Sequence, residues 1–329
     1  MCRMSRVSRN ILVTGLPLLP KAEALLTNCG YEIFVTKPAP GHKEIVANLR
    51  KVNPVALIVR VGQVNHDCFE AASGLKVIAN HGSGYNDIDV AEATKRGIPV
   101  FATPGRNAIS VAEHVISLLL AIRKQLPKHD QLVRAGQWQP AKPITSELHG
   151  TIIGLIGLGA IGERVALLAQ TLGMKVVAFD PGRAKIWPNN ILRCKTLDAL
   201  LGQSDAISLH VPLIEATKNL IDQDAIKKMK TGAVLINTAR GGIVDEQAML
   251  DALDTGKLFG AGIDTFETEP PRNSERLLRN ERVILTPHVA GVTPESSLRM
   301  SICCAENVMG YLSAGRITRD LVNPSSISE

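Results

Sequence analysis

An arginine, a choice of carboxylates and a histidine each stand just past an apolar run in the second half of this 329-residue chain. Arg240 lies in INTARGGIVDE (236–246), Asp264, Glu267 and Glu269 lie in GIDTFETEPP (262–271), and His288 lies in ILTPHVAG (284–291). Strand ends are where an open α/β sheet gathers its ligands. A guanidinium can hold a carboxylate through two parallel hydrogen bonds, as a lysine ammonium cannot. An imidazole can give a proton to a developing alkoxide, and a carboxylate behind it orients the ring and favours its charged form. Together these types suit hydride transfer at the carbonyl of an α-keto acid.

The hydride carrier is implied upstream. TIIGLIGLGAIG (151–162) runs an apolar strand into Gly157-x-Gly159-x-x-Gly162, and KVVAFD (175–180) is a second strand ending in Asp180. The glycines permit a tight turn, close backbone approach to a pyrophosphate, and close packing of helix on strand. The helix that must follow, from Ala160 and Ile161, turns unpaired N–H groups toward the phosphates. Asp180, 18 residues past Gly162, is placed to accept hydrogen bonds from the adenosine ribose hydroxyls. The expected cofactor is NAD, with Arg183 close enough to soften the preference against a 2′-phosphate.

These residues need a scaffold of alternating strands and helices. ILVTG (11–15), EIFVT (32–36), ALIVR (56–60), KVIAN (76–80) and IPVFA (98–102) read as strands, with helical spacing over 20–28, 42–52, 66–73 and 88–96. Such alternation gives a parallel sheet covered by helices. Thr103-Pro104-Gly105 punctuates the chain, and a long helix is expected from 108 to 125. A second set of strands follows at 151–156, 175–180, 206–211, 233–239, 259–266 and 282–287. Asp222 and Asp245 are expected to cap the helices after them, with Gly232 and Gly256 past their ends. A helix over 294–312 then returns to the first domain. The domains are read as 1–103 with 293–329, and 104–292, joined by two crossovers that would form a hinge.

With HGSGYNDID (81–89), SVAEHV (110–115), the glycine fingerprint, HVPL (210–213) and PHVAG (287–291) in this order, the chain resembles the D-isomer-specific 2-hydroxyacid dehydrogenases along nearly its whole length. The resemblance implies an α/β fold of two doubly wound parallel-sheet domains: an internal Rossmann NAD-binding domain and a flavodoxin-like substrate-binding domain, in the short form without a regulatory domain. It puts Arg240, Glu269 and His288 at the catalytic positions, with Glu269 preferred to its near twin Glu267. Asp264 falls on a cofactor-contacting acid near the nicotinamide, and His210, Pro212, Thr217, Thr238, Ala239 and His288 join the cofactor set. Ser83 and Gly84 fall in the loop whose amides hold the substrate carboxylate, and Arg60, Arg240 and His288 complete the substrate set. Asn86-Asp87 stands where the family usually has Asp-Asn. His114 and His210 are expected to pack near the cofactor or a helix face without acting as acid or base.

The activity implied is NAD-dependent transfer of a hydride at C2 of a small 2-keto or D-2-hydroxy acid of the glyoxylate or hydroxypyruvate type. A D-3-phosphoglycerate dehydrogenase is the alternative within the family, although the loop before Gly82 offers only Asn80 and His81 to a second anion. Formate dehydrogenase shares the fold but pairs its histidine with Gln, which Glu269 weighs against. A non-enzymatic NAD-sensing corepressor could keep every motif, and turnover of keto acids separates it from an enzyme.

Composition narrows the remaining classes. With 45% hydrophobic and 21% charged residues the chain is a globular protein. The longest apolar run near its middle, Val115–Ile122, is broken by Ser117 and falls far short of a membrane span. The start, MCRMSRVSRN, lacks the apolar core and cleavage site of a signal peptide and reads as a solvated tail. Net charge +6 is spread out, aromatics are 3%, and no nucleic-acid-binding motif is present. Cysteines 2, 29, 68, 194, 303 and 304 form no CxxC pair, so reduced thiols, the cytoplasm and no metal site are expected. ISLLLAI (116–122) is more apolar than one domain would bury alone, so a homodimer is expected through this helix and the arm to Trp138.

Overall fold

The computed structural model describes residues 9–138, 145–183, 187–272 and 274–326. The expected N-terminal tail and Cys2 thus lie almost wholly outside the described residues. The chain forms two compact units, one from Met1–Asn107 with Thr293–Glu329 and the other from Ala108–Val292.

The first unit alternates β1 (Asn10–Val13), α1 (Pro20–Asn28), β2 (Glu32–Val35), α2 (His42–Val52), β3 (Ala56–Val59), α3 (His66–Ala71), β4 (Val77–Asn80), α4 (Val90–Lys95) and β5 (Val100–Phe101). Its sheet is parallel in the order β2-β1-β3-β4-β5, the flavodoxin-like winding. Both faces are covered, so the strands are apolar throughout and period two only sorts side chains between layers. Ile11, Val13, Ala56, Ile58, Val77 and Ala79 pack with α1 and the C-terminal helix, while Leu12, Leu57, Val59 and Ile78 pack with α2 and α3.

The second unit begins with α5 (Ala108–Arg123) and α6 (Leu126–Arg134), then runs β6 (Ile152–Ile156), α7 (Ala160–Thr171), β7 (Lys175–Phe179), β8 (Leu192–Arg193), α8 (Leu197–Gln203), β9 (Ala206–Leu209), α9 (Gln223–Lys228), β10 (Ala233–Asn237), α10 (Glu246–Asp254), β11 (Leu258–Ile263), α11 (Glu275–Leu278) and β12 (Val283–Leu285). The order β12-β11-β10-β9-β6-β7-β8 is the dinucleotide-binding winding with one further strand at its edge. α5 and α7 cover one face, and α8, α9 and α10 cover the other. Asp222 and Asp245 cap α9 and α10 through their side chains, as the sequence implied. The chain then returns to the first unit as α12 (Pro294–Ala314), started by a reciprocal Thr293–Ser296 cap and ended by Gly315 in the left-handed region.

Four elements have no counterpart in the sequence reading. α11 and β8 are too short to show a period, and α6 buries none of its side chains. α8 is a short Leu-rich helix of about two turns behind a Thr196 cap. The strands also stop sooner than expected, at Leu209, Asn237, Ile263 and Leu285, so the residues after them belong to turns. The premise of the expected dimer needs correction: Ile116, Leu118, Leu119 and Ile122 are buried within their own unit. Exposed apolar surface lies instead at Leu126 and Val133 of α6 and at Trp138. No helix among the described residues is long and apolar enough to cross a membrane.

Candidate active site

The glycine loop follows β6. Gly157 has φ +91°, and a Cβ there would collide with the His210 carbonyl oxygen; one on Gly162 would strike the Gly157 carbonyl. Only glycines let the loop, the α7 helix and the end of β9 come this close. Gly159 differs, for a Cβ there would meet nothing, and as the N-cap of α7 it supplies no side-chain hydrogen bond. Room beside the first-turn amides of Ala160 and Ile161 is what a pyrophosphate requires.

Asp180 lies just past β7. One of its oxygens accepts from Leu158 N at 2.8 Å and the other from Gly182 N and Arg183 N at 3.0 and 3.1 Å. The carboxylate thus ties the glycine loop to the turn after β7, and lone pairs on its oxygens remain for further donors. Arg183 is drawn to Glu163 at 2.6 Å and also donates to the Leu158 carbonyl.

Buried polar atoms without a hydrogen-bond partner mark the same end of the sheet: His210 Nε2, Thr238 Oγ1 and Thr265 Oγ1, just past β9, β10 and β11. Buried polar groups are rarely left so, and a ligand carrying donors and acceptors would satisfy them. Burial pushes the His210 imidazole down to about 3, so the ring is neutral near pH 7. The residue as a whole keeps some exposure, but Nε2 has none. Thr217 Oγ1 donates to Pro212 O at 2.6 Å and accepts from Ile214 N at 2.9 Å, which folds the 212–217 loop on itself.

Arg240 sits on a turn built by Asn237, the buried last residue of β10. Asn237 Oδ1 accepts from Ala239 N at 3.0 Å and its Nδ2 donates to Arg240 O at 2.8 Å, while Arg240 Nη1 donates to Ala239 O at 2.6 Å. The next residue, Gly241, lies so close to the Phe266 backbone that a Cβ would overlap it. The Arg240 turn therefore packs directly on the loop that carries Glu269.

In that loop Glu269 Oε1 accepts from Phe266 N at 3.1 Å, and Oε2 lies 2.8 Å from His288 Nδ1. A carboxylate only accepts, so Nδ1 carries the proton of this bond and Nε2 is left as the ring's exchangeable position. Glu267 does not share the contact. Its amide donates to Glu246 Oε1, and its side chain lines a separate acidic pocket of about 290 Å³ with Asp245, Glu246 and Arg272.

His288 itself has φ +54°, in the left-handed region that costs a side-chain-bearing residue energy. The turn is held by Asp264, which is fully buried just past β11. His288 N donates to the Asp264 carbonyl at 2.9 Å, while the Asp264 carboxylate accepts from Val289 N and Ala290 N, each at 2.9 Å, and from Thr286 Oγ1 at 2.5 Å. Asp264 was expected to touch the cofactor. Its carboxylate fastens the histidine turn. Sequence reasoning missed Asn237 and Thr286 as holders of these turns. An Asx at i against a backbone amide at i+2 is the one signal that could have flagged Asn237.

The remaining expected residues belong to the first unit. Arg60 follows β3 and donates to the Leu16 and Pro17 carbonyls, and burial lowers its pKa. Buried Asn80 holds the carbonyls of Gly82 and Gly84 through its Nδ2 at 3.0 and 2.9 Å, and Ser83 Oγ donates to Asn107 Oδ1 at 3.1 Å. His81 Nε2 lies 3.0 Å from Ser301 Oγ, and burial with the nearby Arg60 charge brings its pKa down to about 4. No cluster of metal-ligating side chains occurs among the described residues.

Comparison with known proteins bears on the whole assembly. The sequence model described as D-isomer specific 2-hydroxyacid dehydrogenase, NAD binding domain, matches residues 116–290. The chain is 39% identical over 299 residues to a hydroxypyruvate reductase of Thermotoga maritima, covering 90% of this chain and 96% of that one. It is 37% identical over 313 residues to a D-3-phosphoglycerate dehydrogenase of Archaeoglobus fulgidus, covering 94% of this chain but spanning only 59% of that protein. Among solved structures, the TT0316 protein from Thermus thermophilus superposes with a TM-score of 0.86 at 34% identity, over 95% of this chain and 99% of the other.

Proposed function

The chain belongs to the D-isomer-specific 2-hydroxyacid dehydrogenase family, and from that premise we propose that it is an NAD-dependent oxidoreductase joining a short 2-keto acid to its D-2-hydroxy acid. The observation that carries the reading is the 2.8 Å pairing of His288 Nδ1 with Glu269 Oε2 on a turn beside the Arg240 loop. When bound, NADH supplies the hydride that adds to C2. Arg240 holds the substrate carboxylate and polarises the keto oxygen. His288, held by Glu269 through Nδ1, gives its Nε2 proton to that oxygen as the C–O double bond opens. In the oxidative direction the neutral imidazole takes the proton back.

Cofactor binding is assigned to Gly157, Gly159, Gly162 and the amides of Ala160 and Ile161 for the phosphates, and to Asp180 for the adenosine ribose. His210, Thr238 and Thr265 have buried polar atoms awaiting a partner, and Pro212, Thr217 and Ala239 flank them. Arg60, Ser83 and Gly84 are assigned to substrate binding on the family resemblance.

The substrate proposed is an unphosphorylated acid such as glyoxylate or hydroxypyruvate. Asn80 and His81, which precede Gly82, carry no positive charge to a distal phosphate, since the His81 imidazole stays neutral. Steady-state rates with a panel of 2-keto acids, read by NADH absorbance, test the reading. A kcat/KM tenfold higher for 3-phosphohydroxypyruvate than for hydroxypyruvate would make phosphoglycerate dehydrogenase the better name, and no turnover of any keto acid would favour the NAD-sensing role. That last role is disfavoured by the relatives, which are named as enzymes.

Homodimerisation is proposed through α6 and the arm to Trp138, which expose Leu126, Val133 and Trp138; the start of α6 also lines a groove of about 870 Å³ with Ile122, Phe259 and Val283. Free Cys29, Cys68, Cys194, Cys303 and Cys304 support a cytoplasmic location.

A further inference from the structure

α5 lies across β11 in a simple register. Ile122 packs on Gly260 and Leu118 on Gly262, each where a Cβ would intrude, and four residues earlier on the same helical face His114 meets Asp264. Each step of four residues along the helix matches two along the strand, about 6 Å in both cases. The stripe is apolar at its first two positions and becomes polar at the third, just where the strand ends and the histidine turn begins.

At that third position a hydrogen-bonded chain forms. His114 Nε2 lies 3.0 Å from Thr286 Oγ1, and Thr286 Oγ1 lies 2.5 Å from Asp264 Oδ1. The threonine has one hydroxyl proton, and the carboxylate must receive it. Thr286 therefore accepts from His114, whose Nε2 carries a proton. His114 Nε2 also stands 3.8 Å from Asp264 Oδ1. Every acceptor of the buried Asp264 side chain is thus directed: Oδ1 to Thr286 and Val289 N, and Oδ2 to Ala290 N.

We propose that His114 is a positioning residue for the proton-transferring imidazole: through Thr286 it fixes the Asp264 carboxylate, which in turn fixes the strained turn that presents His288 to Glu269. The inference rests on the assignment of His288 above. A left-handed φ at His288 persists only while its surroundings hold it. The grip is three backbone amides taken by one aspartate, through its main-chain carbonyl and its side chain. An aspartate side chain freed on one side can rotate and release the two amides it holds.

The test compares His114→Leu, which removes the donor, with His114→Gln, whose side-chain amide can donate from nearly the same place. Expected for His114→Leu is a kcat reduced roughly 10–100-fold, the size of effect that misplacing a reacting group by about 1 Å produces. The Kd for NADH, measured by fluorescence titration, should stay within about threefold, and His114→Gln should recover most of kcat. Thr286→Val and Thr286→Ser form a second pair, with loss expected for valine and retention for serine, and they carry the test if His114→Leu fails to fold. A kcat within threefold of wild type in both His114→Leu and Thr286→Val overturns the proposal. Equal losses in the leucine and glutamine variants, with NADH binding lost as well, overturn it too, because packing alone would then explain the residue. His288→Ala, run in parallel, keeps the two readings apart: if it is active the assignment of His288 falls, and if it is inactive while the His114 and Thr286 variants are normal only the present inference falls.

Discussion

Lowering the pH should loosen the second unit through one buried histidine beneath the glycine loop. His210 is held neutral by burial, with its pKa pushed from the ordinary 6.5 down to about 3. An unfolded chain takes up this proton as pH falls past about 6.5, whereas the folded chain resists until about 3. The stability His210 contributes by staying neutral is therefore complete above 6.5 and lost progressively below it. Integrating between those two values, the loss by pH 5 is about 2 kcal/mol, and by pH 4 about 3 kcal/mol. Urea unfolding reads this directly. Trp138 and Trp187 are the chain's two tryptophans and both lie between Ala108 and Val292, so tryptophan emission follows this unit. With a urea dependence of about 2 kcal/mol per molar, the midpoint should fall by about 1 M between pH 7.5 and pH 5 on account of His210. Carboxylates and other histidines add their own pH dependence, so the quantity to compare is the fall in wild type against the fall in His210→Gln. The variant, having no proton to take up there, should lose about 1 M less of its midpoint over the same interval. Equal falls in the two proteins would refute the reasoning, and His210 would not be the neutral buried group the structure makes it.

Replacement of His288 by alanine should lower kcat for keto-acid reduction by roughly 10²–10⁴, with little change in NADH affinity; near-normal turnover in initial-rate assays would remove it from the mechanism. Arg240→Ala should raise KM as well as lower kcat, because the guanidinium binds ground and transition states alike, and an unchanged KM for the keto acid would point to another anchor for the carboxylate. Glu269→Gln should lower kcat for keto-acid reduction with little change in KM, since an amide holds the His288 ring less firmly than the carboxylate that accepts from its Nδ1; an unchanged kcat would count against the pairing. NADH should be preferred to NADPH, because Asp180 and Glu163 set two carboxylates around Arg183 where a 2′-phosphate would need cations. Equal kcat/KM for the two cofactors would mean that Arg183 leaves Glu163 to meet the phosphate.

The elements that were legible in the sequence are those whose signal is local. Gly157 and Gly162 between two apolar strands specify their loop through backbone geometry alone, and Asp222 and Asp245 each specify a helix start through one side chain. Apolar runs gave both sheets, because strands buried on both faces are hydrophobic end to end. What escaped was settled by contacts distant in the chain. ISLLLAI suggested a surface awaiting a partner, but its side chains are absorbed by β10, β11 and α7 of the same unit, two of them over glycines that leave space on the sheet. Glu269 was preferred to Glu267 in the sequence for its place before the Pro-Pro pair and its family position; in space Glu269 bonds to His288 and Glu267 lines an acidic pocket.

Asp264 shows that a strand-end acid can have a structural task beside the one its position suggests. A polar residue at the end of a buried strand can face the ligand or the loop that meets the ligand, and composition does not distinguish the two. In this chain the second arrangement recurs. Asn80 at the end of β4 holds the carbonyls around Ser83, Asn237 at the end of β10 holds the Arg240 turn, Asp264 past β11 holds the His288 turn, and Asp180 past β7 holds Leu158 of the glycine loop. All four are Asn or Asp, whose short side chains reach backbone groups two or more residues away without leaving the strand end. Three of them are nearly or fully buried, where an unmet hydrogen bond would cost about 1–3 kcal/mol, so each fastener holds its loop firmly. Chemistry in a parallel sheet falls to the turns because only there can side chains leave the packed layers. The turns can be accurate because the last polar side chain of the strand stays behind, inside the layers, to hold them.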